Sequence, residues 1–280
     1  MTHPATWREL HGAAADRLGS AQEARWLVEE ASGESWPGCA DDQVLVRPGR
    51  RFEAMLERRA AGEPLQYVLG SWGFRTLDLL VDRRVLIPRP ETEVVVGVAL
   101  ELLAGRARPV AADLGTGSGA IALSLVAEHP GVQVWATDVS AEALDVARAN
   151  AAGLGGRAAP RVRFAEGAWW EALPGDLRGR LDLVVSNPPY LSTAELVALD
   201  RSVRDWEPAT ALASGPAGTE AFAALVAGAP AWLAEGGALV VELSPPQVPD
   251  VTALATAAGL RDVEVRPDLA GRDRVLVARR

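Results

Sequence analysis

The most constraining stretch of this chain is residues 181–190, Leu-Asp-Leu-Val-Val-Ser-Asn-Pro-Pro-Tyr. Its Leu- and Val-rich first half has the composition of a buried parallel strand, and proline cannot extend a strand because it has no ladder N–H. The strand therefore has to stop at about Ser186. In an open α/β sheet, ligands bind outside the carboxyl ends of the strands, so this fold would deliver Asn187 to Tyr190 to a binding position. The Asn187 side-chain carbonyl and the Pro188 backbone carbonyl are two acceptors that the fixed φ of the prolines can hold facing one way, which suits one planar NH2 group. Tyr190 offers an aromatic face for a flat amide or base. An isolated Asn-Pro-Pro-Tyr is equally well a strand-ending turn, so the segments upstream have to decide between these readings.

Those segments read as alternating strands and helices. A short strand at 110–112 runs into Asp113-Leu114-Gly115-Thr116-Gly117-Ser118-Gly119, and a helix follows over 120–127. This is a strand, a glycine turn and a helix, in which backbone N–H groups can approach a ligand closely. The Gly-x-Gly-x-Gly spacing disfavours a dinucleotide pyrophosphate, which calls for Gly-x-Gly-x-x-Gly. A second strand over 132–136 leads to Asp138, 23 residues beyond Gly115, where a carboxylate can accept from both hydroxyls of a ribose. A helix over 141–152 and a third strand over 162–164 lead into Glu166-Gly167-Ala168-Trp169-Trp170, whose tryptophans serve equally well to flank an adenine or to pack a core. Beyond Tyr190 the pattern gives a loop over 207–212, a helix over 219–233, a strand over 238–242, and an antiparallel edge pair over 263–266 and 275–278.

Before the glycine turn, residues 1–70 carry three helical stripes, beginning with Trp7, Leu10, Ala14 and Leu18 and ending with Phe52, Met55, Leu56 and Ala60, so a small helical bundle is expected. Residues 72–81 alternate like a strand, 85–87 could pair with it, and a hairpin linker fits. In Ile87-Pro88-Arg89-Pro90-Glu91-Thr92-Glu93 two prolines hold the chain extended before a helix over 94–103.

Composition narrows the function. The net charge is −9 and all 28 basic residues are Arg, with 12 Arg against 13 acids up to Pro90 and 16 against 24 beyond it. That sign argues against an extended nucleic-acid footprint. An uncharged stretch as long as any in the chain, 221–234, is too short to span a bilayer, and nothing near the N-terminus reads as a signal peptide, so a soluble protein is expected. A single Cys39 fits a reducing cytoplasm. His3, His11 and His129 are scattered, with no metal-ligand cluster and no nucleophilic triad.

Taken in order, Gly62-Glu63-Pro64-Leu65-Gln66-Tyr67, residues 87–93, residues 113–119 and Asn187-Pro188-Pro189-Tyr190 closely resemble the PrmC/HemK release-factor glutamine methyltransferases, and the resemblance extends to Arg272-Asp273-Arg274-Val275. It implies a class I methyltransferase fold, Rossmann-like with a seven-stranded, mostly parallel sheet, that uses S-adenosylmethionine (SAM) and no metal. The implied divisions are a helical docking domain over 1–70, a β-hairpin linker over 71–88 and a catalytic domain over 89–280. The implied partner is a peptide chain release factor, methylated on the amide nitrogen of its Gly-Gly-Gln loop glutamine. By the same resemblance, Gly115, Thr116, Gly117, Ser118 and Gly119 would line the methionine and ribose part of SAM, Asp138 would hold the ribose hydroxyls, and Trp169 would lie beside adenine. Asn187, Pro188, Pro189 and Tyr190 would hold the glutamine, with Asn187 also touching the cofactor. The chain departs from the family pattern at Ala168, where an acid is usual, and at Glu242-Leu243-Ser244-Pro245-Pro246, where Glu-x-Gly is usual. Two rival readings are a DNA or RNA amino methyltransferase, whose flipped base would use the same pocket, and a non-catalytic protein of SAM-binding fold.

Overall fold

The computed structural model describes residues 5–156 and 158–280, which leaves His3 outside the described residues. In chain order the elements are α1 (Trp7–Leu18), α2 (Ala21–Ser32), α3 (Val46–Ala60), α4 (Leu65–Leu69), β1 (Ser71–Phe74), β2 (Leu77–Leu80), α5 (Pro90–Leu103), β3 (Val110–Leu114), α6 (Ala120–Glu128), β4 (Gln133–Asp138), α7 (Ala141–Ala152), β5 (Val162–Glu166) and β6 (Leu181–Ser186). They continue with β7 (Leu191–Ser192), α8 (Thr193–Ala198), α9 (Arg201–Arg204), α10 (Ala209–Leu212), β8 (Ala213–Gly215), α11 (Glu220–Trp232), β9 (Leu233–Glu242), α12 (Val248–Ala257), β10 (Arg261–Pro267) and β11 (Asp273–Arg279). Two compact units result. Residues 5–71 with Arg201–Trp206 form one, and Trp72–Asp200 with Glu207–Arg280 form the other.

In the helical unit, the expected stripes become one core of Trp7, Ala14, Leu27, Val28, Phe52, Met55, Leu65 and Val68, with the Phe52 ring set edge-on to Trp7 at 5.9 Å. Thr6 and Glu9 form a capping box that satisfies orphan N–H groups at the start of α1. Arg59 of α3 donates to both Glu23 carboxylate oxygens of α2, at 2.6 and 3.1 Å.

The second unit is built on a seven-stranded sheet in the order β5-β4-β3-β6-β9-β11-β10. The first five strands run parallel, and β11 is antiparallel to both its neighbours. Leu114, Leu181, Val184, Phe222, Leu225, Leu239, Val241 and Leu276 belong to its core. The expected pairing of 263–266 with 275–278 forms, but only β10 is at the edge. Residues 275–278 of β11 are buried between β10 and β9.

The hairpin differs from the sequence expectation. Residues 72–81 are not one strand partnered by 85–87: the chain folds back after Phe74, β1 pairs with β2, and 85–87 is in no strand. Arg75 makes the reversal, with φ of 52°. Its backbone N–H donates to the Glu93 carboxylate at 2.9 Å, and its guanidinium donates to the Glu93 carbonyl at 3.0 Å and to both Glu128 oxygens at 2.6 Å. This set of bonds offsets a conformation that non-glycine residues seldom adopt. Residues 207–212, expected as loop, contain the helical turn α10, which starts directly after Pro208. No helix among the described residues is long and apolar enough to cross a membrane.

Candidate active site

Strand register places the site. Asp113 of β3 is level with Val185 of β6, and Ser186 of β6 is level with Val241 of β9. Carried two residues past Asp113 and one past Ser186 and Val241, the same register brings Gly115, Asn187 and Glu242 to one row at the carboxyl edge of the sheet. The chain leaves β3 toward β4 and β5 on one side and returns to β6 and β9 on the other. The β3–β6 border is thus the point where strand order reverses and a crevice opens. The Ser186 hydroxyl donates to the Leu114 carbonyl at 2.6 Å and locks the two strand ends together there.

The glycine turn is anchored from below. Buried Asp113 accepts the Thr116 hydroxyl at 2.6 Å and the Ala122 N–H at 3.1 Å on one oxygen, and burial pushes this carboxyl up to about 7 against those two bonds. Its other oxygen is buried with no protein partner. The N–H groups of Gly115 and Thr116 both donate to the Thr137 carbonyl of β4. Gly115 has φ of 78°, a conformation that favours glycine, and the Trp169 ring lies within ordinary contact distance, 3.6 Å, of where a Cβ would stand. Asp138 accepts the Gly117 N–H on one oxygen and the Ser140 N–H on the other, each at 2.9 Å. Burial raises its pKa, opposed by those N–H groups.

Opposite the turn, Asn187 Nδ2 donates to Thr92 Oγ1 at 3.1 Å, and the Thr92 hydroxyl donates to Glu242 Oε2 at 2.7 Å. Thr92 and Glu242 are buried, and burial pushes the Glu242 carboxyl up to about 7, with Thr92 and Arg274 working against it. The departure at Ser244-Pro245-Pro246 is a single 3-10 turn capped by Ser244, and it sends Gln247 Nε2 to the Tyr190 carbonyl at 2.5 Å and the Gly218 carbonyl at 3.1 Å. The path after β9 thereby fixes the end of the Asn-Pro-Pro-Tyr bend. Buried Glu207 accepts the Ile87 N–H at 3.2 Å and pairs with Arg89, tying the strap before α10 to the proline-bounded segment before α5.

These parts line one cleft at the carboxyl edge of the sheet, open to solvent on one side. Of the residues singled out in the sequence, Gly115, Thr116, Gly117, Ser118, Asp138, Trp169, Asn187 and Pro189 line it. Gly119, Pro188 and Tyr190 are not among the lining residues. Gly119 is the N-cap of α6, its φ is 85°, and a Cβ there would meet Leu123 at 3.0 Å. Tyr190 packs against the core, and burial raises its phenol pKa. The two tryptophans part company. Trp169 faces the cleft, whereas Trp170 stacks on Trp232 and donates to the Ala224 carbonyl at 2.9 Å. Sequence reasoning gave no role in the cleft to Thr92, to 84–86, or to Pro208, Thr210 and Ala211. The proline bounds of 87–93 were the available signal for the first.

Residues 13–70 match the PrmC N-terminal domain and residues 97–202 the methyltransferase small domain. A release factor glutamine methyltransferase of Moorella thermoacetica is 47% identical over 286 residues, covering 98% of this chain and 99% of that protein. One from Xylella fastidiosa is 47% identical over 228 residues, covering 81% and 80%. A crystal structure of a methyltransferase from Pyrococcus furiosus superposes with a TM-score of 0.51 at 17% identity over 82% of this chain and 98% of that one. The sheet order and this likeness give the class I methyltransferase fold. With identity of this level sustained from the helical unit through the sheet, the chain belongs to the family of release factor glutamine methyltransferases.

Proposed function

We propose that the protein transfers a methyl group from SAM to the side-chain amide nitrogen of the glutamine in the Gly-Gly-Gln loop of a peptide chain release factor. One observation carries this reading: Asn187, directly after β6, and the glycine turn, directly after β3, line a single cleft at the sheet's switch point. The lining residues fit the cofactor. Each Asp138 oxygen spends one lone-pair site on a backbone N–H, which leaves acceptor capacity for a ribose diol. Val139, Ile121, Ala143 and Trp169 supply apolar walls for an adenine, and Gly115 to Gly117 allow close backbone approach. Ala168 leaves no acid before the tryptophan, so recognition of the adenine rests on packing and backbone groups.

When bound, SAM supplies a methyl group already activated on a sulfonium. The chain's own task is to present a weak nucleophile, since an amide lone pair is delocalised into its carbonyl. Asn187 Oδ1 and the Pro188 carbonyl each accept one N–H of the glutamine amide, orienting its nitrogen and favouring the positive charge that grows on it. Tyr190, which packs against the core, holds the bend that presents Asn187 and Pro188. No general base is required before transfer, because the proton can leave afterwards. Release factors belong to translation termination, so the proposed place of action is the cytoplasm.

The test is methyl transfer from labelled SAM to three acceptors: an intact release factor, the same factor with its loop glutamine replaced, and an oligonucleotide. Label in the first alone is expected. Label in the oligonucleotide and not in the factor would instead favour an exocyclic amino group as substrate.

A further inference from the structure

Thr92, Asn187 and Glu242 come from three elements, the first turn of α5, the end of β6 and the end of β9, and form one hydrogen-bonded line. A hydroxyl has one proton to give, and an ionised carboxylate can only accept. The Thr92 proton therefore goes to Glu242 at 2.7 Å, and its oxygen meets Asn187 as an acceptor at 3.1 Å. Only the NH2 edge of the Asn187 amide can answer an acceptor. The reversed amide would set its carbonyl against the Thr92 lone pairs. Hydrogen-bond polarity thus passes from a buried carboxylate to the cleft. Asn187 Oδ1, which takes no donor from the described residues, is left for a ligand.

The geometry points to Glu242 and Thr92 as positioning residues that hold the Asn187 amide with its oxygen toward the substrate, so that the site accepts a carboxamide and rejects a carboxylate. This rests on the reading that Asn187 Oδ1 accepts an N–H of the substrate glutamine. A glutamate side chain offers only acceptors and would face another acceptor, whereas a turned Asn187 would present NH2 and welcome it. The line is also sensitive to protonation. Burial pushes Glu242 up to about 7; Arg274 of β11 and Arg89 oppose this, Glu91 of α5 reinforces it, and the Tyr190 phenol lies close enough to feel the charge. A protonated Glu242 can donate to Thr92, which frees the Thr92 proton to point at Asn187 and favours the reversed amide. Turnover should then fall as pH descends through about 7.

The experiment compares wild type with Thr92→Val, Thr92→Ser, Glu242→Gln and Asn187→Ala. It measures kcat and KM on the intact release factor, SAM affinity by calorimetry, and inhibition by a factor carrying glutamate in place of its loop glutamine. Thr92→Val is expected to bind SAM as wild type does, to lose kcat on the order of 10- to 100-fold, and to be inhibited more strongly by the glutamate factor. Thr92→Ser should restore most of the loss, and Glu242→Gln should flatten the acid side of the pH profile. Wild-type kcat and wild-type inhibition in Thr92→Val, beside an inactive Asn187→Ala, would overturn the positioning role and leave the glutamine reading standing. Should Thr92→Val fail to bind SAM, the profile of Glu242→Gln decides, and an unchanged acid side overturns the proposal. A wild type that does not methylate the factor removes the glutamine reading, and this inference with it.

Discussion

Asp138→Asn separates cofactor recognition from loop support. The native carboxylate has about four lone-pair sites, and its two oxygens each spend one, on Gly117 N–H and Ser140 N–H. One site per oxygen remains, which matches the two hydroxyls of a ribose. Asparagine keeps a single acceptor oxygen and turns an NH2 toward one of those two N–H groups, so one diol bond is lost and one loop contact becomes donor against donor. A hydrogen bond to a charged group contributes about 1.5 to 3 kcal/mol. The dissociation constant for SAM or its demethylated product should therefore rise on the order of 10- to 150-fold. Calorimetry with S-adenosylhomocysteine and with its 2′,3′-dideoxy analogue distinguishes the two causes. The variant should weaken binding of the first far more than of the second. Equal weakening would show that Asp138 acts through the glycine turn alone, and an unchanged constant for the parent ligand would refute the ribose assignment outright. Because burial raises the Asp138 pKa, affinity should also decline on the acid side sooner than for an ordinary aspartate, as protonation removes an acceptor.

Asn187→Ala should retain SAM binding and lose turnover on the order of 100- to 1,000-fold, about 3 to 4 kcal/mol; near-parental methylation of the release factor would show the role to be misassigned. In Gly228→Ala the new Cβ would lie 2.2 Å from Trp170 Nε1, so the indole must leave the Ala224 carbonyl it bonds at 2.9 Å. Urea denaturation should show a loss of about 1 to 3 kcal/mol, and parental stability would mean that α11 shifts without strain. Glu207→Ala deprives Arg89 and the Ile87 N–H of a buried acceptor. Arg89 is 36% exposed and water partly replaces its partner, so about 1 kcal/mol is expected, together with weaker SAM binding as Pro208 to Ala211 loosen. Unchanged SAM affinity would release the strap from any part in the cleft.

The sheet was legible because its signals are local. Leu-Asp-Leu-Val-Val-Ser followed by two prolines can only be a buried strand that stops, and β6 does end at Ser186. The hairpin was legible only in outline: a hairpin linker was expected, but its strands were misplaced, although the apolar phase slips from Trp72 and Phe74 to Leu77, Leu79 and Val81 across Arg75 and Thr76. What turns the chain there is a pair of glutamates 18 and 53 residues away. The same contrast runs through the cleft. Gly115 and Asp138 announce themselves by spacing from the strands that carry them. Thr92 and Glu242 lie 150 residues apart, and their bond exists only because β9 and the start of α5 reach the same edge of the sheet. Sequence therefore shows which groups can touch a ligand. Their hydrogen-bond polarity, whether an amide presents its oxygen or its nitrogen, is decided by partners that only the folded chain assembles. On the proposed reading of this site, that polarity is what separates a receptor for glutamine from one for glutamate.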